Sequence, residues 1–172
     1  MLGILVSGLV VPRLSDGDAS AYGYNDSWVM YYEFEVVNDG ITAVEIVDVG
    51  RSGPGLDLVD HPIGVDGSPS GVAQLPVRVA AGDHVWLGVA YEVTDCDAVP
   101  SEPWPVPVTV SRPWGTHTTW LSLPEQSRLD YHLPTAGAGD EGEYRDEAVE
   151  WQRALAEAVC HYREGGEPWT GD

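Results

Sequence analysis

Residues 27–50 read SWVMYYEFEVVNDGITAVEIVDVG. Trp28, Met30, Tyr32, Phe34 and Val36 alternate there with Val29, Tyr31, Glu33, Glu35 and Val37, the period-two pattern of a strand that buries one face. Asn38-Asp39-Gly40 follows with residues that tolerate positive φ, and TAVEIVDV at 42–49 supplies a second strand. The stretch therefore reads as a β-hairpin. Glu33 and Glu35 share the outward face of its first strand; two such carboxylates can do acid/base work, but a solvent-facing strand is expected to carry them in any case.

Strand signals continue on the C-terminal side. Gly, Pro and Asp crowd residues 50–70, which marks a long loop with a short edge strand at Leu56 to Val59. AQLPVRVA (73–80) and, beyond Ala81-Gly82-Asp83, HVWLGVAYEVTD (84–95) each alternate. PVPVTVSR (105–112) puts Val106, Val108 and Val110 on one side, and THTTWLSL (116–123) follows the Trp114-Gly115 turn. The apolar start, MLGILVSGLVVPR, adds one more strand. About seven short strands without intervening helices predict an all-β fold, an antiparallel immunoglobulin-like β-sandwich, with an open barrel as the rival.

A linker is expected over 134–142, rich in Ala, Gly and Thr, and a helix over 143–164, leaving 1–133 as the sandwich and 165–172 as a tail. Acidic residues crowd the expected first turns, where the helix dipole favours them. Tyr144, Ala148, Trp151, Leu155, Val159 and Tyr162 form one apolar stripe, so the helix should pack on the sandwich.

The chain holds two cysteines, Cys96 just past a strand and Cys160 near the helix end, and an even pair so placed predicts a disulfide fastening helix to sheet. Against it, Cys160 projects away from the Trp151 stripe, alongside Val149 and Ala156, so that side must also face protein. Two separate buried thiols are the alternative. A disulfide would place the protein outside the cytosol.

Composition excludes several classes. With 172 residues, 43% hydrophobic, seven Trp and eight Tyr, the chain has ample apolar surface to fold as one domain. Its 28 acidic residues face 8 basic ones, all Arg, for a net charge of −20. Nucleic-acid phosphates and anionic head groups need a cationic footprint that this sequence lacks. No apolar run is long enough for a membrane span. Arg13, Asp16 and Asp18 separate the apolar start from the small-residue site Ala19-Ser20-Ala21, which argues against a signal peptide there; a targeting segment or anchor would lie elsewhere.

No nucleophile elbow, phosphate-cradling glycine loop, His-Glu-x-x-His motif or Cys-x-x-Cys pair occurs. The five histidines are dispersed. For calcium, Asp57, Asp60 and Asp66 in one stretch, and Asp16 and Asp18 in another, lie in expected loops with free carbonyls, although in so acidic a chain solvated turn carboxylates are the simpler reading. Trp104 in SEPWPVP and Trp114 in SRPWGTH sit in proline-rich turns, where an indole either stacks on a ligand or plugs the end of the sandwich.

The aromatic-rich strand, Asn-Asp-Gly and Val/Ile strand of residues 31–49, with VTDC, RPWGTH and the terminal WQRALAEAVC, resemble uncharacterised exported or membrane-anchored immunoglobulin-like sandwich proteins of high-GC Gram-positive bacteria. The resemblance implies an extracytoplasmic location and brings no catalytic residues. The expectation is thus a non-enzymatic binding, adhesion or structural module without cofactor, its partner a protein or carbohydrate. Two other classes remain: a cytoplasmic acidic protein that neutralises a cationic partner, and a hydrolase whose loops bring His117 or His132 to two carboxylates.

Overall fold

Met30, Tyr32, Phe34 and Val36 are all fully buried, as their alternation demands, and lie on the inner face of strand β2 (Val29–Asn38). The computed structural model describes residues 12–23, 28–59, 73–112, 115–123, 126–127 and 148–163. Besides β2 it contains β1 (Leu14–Gly23), β3 (Val44–Val49), β4 (Leu56–Leu58), β5 (Val77–Val79), β6 (His84–Val93), β7 (Val106–Arg112) and β8 (Gly115–Leu121). A two-residue pair, β9 (Gln126–Ser127) with β10 (Ala148–Val149), and one helix, α1 (Trp151–Arg163), complete it. The expected N-terminal strand, the 134–142 linker and the 165–172 tail fall outside the described residues.

Two four-stranded antiparallel sheets, ordered β1-β2-β6-β4 and β5-β3-β7-β8, face one another. Leu56, Leu87, Val89, Tyr91 and Val93 join the β2 residues from the first sheet; Val44, Ile46, Val79, Val106, Val108, Val110 and Leu121 come from the second. Among the described residues no ladder joins the sheets, so the architecture is a sandwich and not an open barrel. Each large apolar side chain buried this way contributes about 1.5–3 kcal/mol, which makes the two inner faces the main source of stability.

The hairpin expected at residues 27–50 does not form. β2 pairs with β1 and β6, while β3 pairs with β5 and β7 in the opposite sheet, so Asp39–Ala43 is an arch between sheets. Asn38, Asp39 and Gly40 all avoid the positive φ that a tight hairpin turn needs. Asn38 is instead a fully buried clasp. Its Nδ2 donates to the carbonyls of Thr42, Val79 and Ala80 at 2.9, 3.2 and 3.0 Å, and its Oδ1 accepts from the Gly40 N–H. Its backbone bonds to Gly82 and Asp83, which lie in another arch, from β5 to β6. One side chain thus ties together two of the crossings between the sheets.

Helix α1 begins at Trp151, not near residue 143, because Ala148 and Val149 are engaged in the ladder with β9. The Glu150 carbonyl receives the first helical bonds, from Arg153 and Ala154. The first turn holds no acidic residue. Trp151, Leu155 and Val159 enter the core as their shared stripe predicts, with the Trp151 ring centroid 4.8 Å from Tyr32 and 6.1 Å from Tyr91. Gln152, Ala154, Ala156 and Ala158 are buried too, leaving only Arg153, Glu157 and Cys160 partly exposed within residues 151–160. The side of the helix opposite the Trp151 stripe therefore does face protein.

Candidate binding surface

What faces that side is the loop between β6 and β7. Three consecutive helix side chains donate to its carbonyls: Trp151 Nε1 to Trp104 at 3.2 Å, Gln152 Nε2 to Pro100 and Glu102 at 3.0 and 2.9 Å, and Arg153 Nη1 to Cys96 and Val99 at 3.1 and 3.3 Å. A loop carbonyl buried without a partner would cost about 1–3 kcal/mol, so the helix completes this loop. Cys96 and Cys160 form the expected disulfide, their Cα atoms 6.1 Å apart. The Asp95 carboxylate receives the Asp97 and Ala98 N–H groups and sets the turn that aims Cys96 at the helix.

The loop ends at Trp104, and here a second set of contacts begins. The indole is 7% exposed and packs in the core, with Gly53 so close to the ring that a Cβ there would overlap it. Over that ring, 4.2 Å from its centroid, lies the Arg51 guanidinium, which also stands 4.9 Å from the centroid of Trp120 on β8. Trp120 is 53% exposed. A buried indole, a guanidinium and an exposed indole form one contiguous stack, and cation–π contacts of this kind contribute about 0.5–2 kcal/mol each. Arg51 Nε, Trp104 Nε1 and Tyr91 OH are buried without a hydrogen bond of good geometry. Burial pushes the Tyr91 phenol above its ordinary pKa, while the Arg51 backbone N–H, the Trp104 indole and the Arg51 charge each lower it, so these groups share one pocket of the core.

Strand pairing decides what surrounds Trp120. Pro107 is opposite Trp120, Thr109 opposite Thr118, and Ser111 opposite Thr116, so these six share the outer face of the β7–β8 hairpin. The Thr109 and Thr118 hydroxyls lie 3.1 Å apart, and β8 carries no charged residue. The four strands of this sheet hold Glu45 and Asp48 against Arg78 and Arg112. In the other sheet the strands hold Asp16, Asp18, Glu33, Glu35, Asp57 and Glu92 and no Arg. Among the strands, the acidic excess thus lies in one sheet.

Of the residues singled out in the sequence, Trp104 plugs the sandwich, and Trp114 falls outside the described residues. Asp57 lies on edge strand β4, while Asp60 and Asp66 are outside the described residues. Asp16 and Asp18 sit in β1 at a bulge rather than in a loop, where the Asp18 N–H approaches Glu35 Oε2 at 3.4 Å. No group of three or more His, Cys, Asp or Glu able to hold a metal occurs among the described residues. Glu33, expected to face solvent, is fully buried, and a carboxylate at that depth cannot meet a substrate beside Glu35. Glu35 lies 3.5 Å from His84. His117 is an exposed residue of β8, and His132 is outside the described residues.

Arg51 and Trp120 escaped the sequence reading. A usable signal was present, since Trp120 falls between Thr119 and Leu121 in THTTWLSL, at the parity opposite to that of the apolar Leu121 and Leu123. Arg51 left no such trace, because its stacking depends on two loops and a strand far apart in sequence. No protein-family model matches the chain, and no curated protein matches it significantly.

Proposed function

We propose that this protein is a non-enzymatic extracytoplasmic binding or adhesion module whose contact surface is the outer face of the β7–β8 hairpin, centred on Trp120. The supporting observation is the half-exposed indole held from behind by Arg51 and Trp104. An indole offers a flat apolar face to a ligand, and a ring already fixed in place loses little entropy when a ligand meets it. The Cys96–Cys160 disulfide fits an oxidising compartment. The test is an array of immobilised glycans and cell-surface proteins probed with oxidised protein and with Trp120→Ala. The reading expects at least one ligand whose retention falls tenfold or more in the variant; an array with no Trp120-dependent ligand contradicts it.

A second reading, an acidic protein that occupies a cationic partner, draws on the sheet whose strands hold six acidic residues and no Arg. The disulfide weighs against its cytoplasmic setting. Polylysine on the same array separates the two, because its binding would ignore Trp120 and collapse with salt.

A further inference from the structure

Resting on the Trp120 surface just proposed, we infer that the ligand is an uncharged polysaccharide, laid along β8 with one sugar ring on the Trp120 indole. The first argument is the chemistry of the face. Thr116, Thr118 and Trp120 recur on one side of β8 at every second residue, about 7 Å apart, and Ser111, Thr109 and Pro107 run beside them. Four hydroxyls that both donate and accept, flanking one indole, match a chain whose units each present hydroxyl edges and an apolar ring face. The hydroxyls of Thr109 and Thr118 are already oriented by their mutual bond.

The second argument excludes the rivals. A polyanion would meet a molecule of net charge −20 with only scattered Arg to receive it. A basic partner would be drawn to carboxylates, and β7 and β8 have none; the nearest in this sheet, Glu45 and Asp48, lie on β3 beside Ser111 and Thr109, across β7 from the strand that carries Trp120. A folded protein partner needs about 800 Å² per side with an apolar centre, whereas Trp120 is the only large exposed apolar side chain on this hairpin among the described residues. A lone aromatic ring among neutral hydroxyls is too small a patch for that and sufficient for a sugar.

Affinity electrophoresis of the oxidised protein through gels containing hydroxyethyl cellulose, xylan, laminarin or alginate tests this directly. At least one of the three neutral polymers should retard the wild type, Trp120→Ala should weaken retardation at least tenfold, Trp120→Phe should keep most of it, and Thr118→Val should weaken it severalfold. A melting temperature of Trp120→Ala within a few degrees of the wild type shows that the fold is intact. Trp120-dependent retardation by alginate alone, or retardation indifferent to Trp120, overturns the inference. If no neutral polymer retards the protein while the array yields a Trp120-dependent protein ligand, the inference falls and the binding surface stands. If neither assay yields a Trp120-dependent ligand, both fall.

Discussion

Trp151 and Trp120 stand at the two ends of one chain of contacts and could hardly differ more in setting. Trp151 is fully buried, packed at a tilt against Tyr32 and Tyr91, and its indole N–H is spent on the Trp104 carbonyl. Trp120 is half in water. Between them lies Trp104, whose backbone belongs to the helix clamp and whose ring supports Arg51 behind Trp120. One loop thus serves two purposes. Its N-terminal part is fastened to α1 by a disulfide and four hydrogen bonds, and that rigidity is passed to the exposed indole through Trp104. Stability should therefore reside at the Trp151 end and recognition at the Trp120 end.

Substitutions can break that division. The largest effect is expected from Cys96→Ser with Cys160→Ser, since the disulfide spans 64 positions and closing such a loop stabilises by about 4 kcal/mol on the chain-entropy model. Urea unfolding should show a loss near this size; a loss under about 1 kcal/mol would mean that packing alone holds the helix. Asn38→Ala comes next, at about 1–3 kcal/mol, because it removes a donor from the buried Val79 carbonyl and from the part-buried carbonyls of Thr42 and Ala80. Thermal unfolding reads this as a melting shift of several degrees. Trp120→Ala should move stability least, by about 0.5–1 kcal/mol, because its contact with Arg51 is a cation–π pair at a half-exposed ring. A loss above about 2 kcal/mol would show that Trp120 is a structural prop, and the distinction between the two ends would disappear.

Alternation along β2, β6 and β7 was enough to read which faces are buried, because inward parity is a local property. Pairing was not readable. Whether β2 turns back on itself or crosses to the other sheet depends on Asn38 reaching the carbonyls of Val79 and Ala80, some forty residues away, and no window around Asn38-Asp39-Gly40 contains that information. The helix was legible from Trp151, Leu155 and Val159, but its start was not, since Ala148 and Val149 join β9 instead. The disulfide was foreseeable from a cysteine count of two. The burial of Glu33 was not: the simple rule that the second face of an antiparallel strand meets water failed there.

Hydrogen exchange at the indole N–H groups, resolved by nuclear magnetic resonance, compares the two ends most directly. We expect the Trp151 indole to exchange orders of magnitude more slowly than that of Trp120 in the oxidised protein, and to lose much of this protection when Cys96–Cys160 is reduced, with Trp120 fast in both states. A Trp151 indole exchanging as fast as Trp120 while the disulfide is intact would contradict the clamped helix on which the account depends.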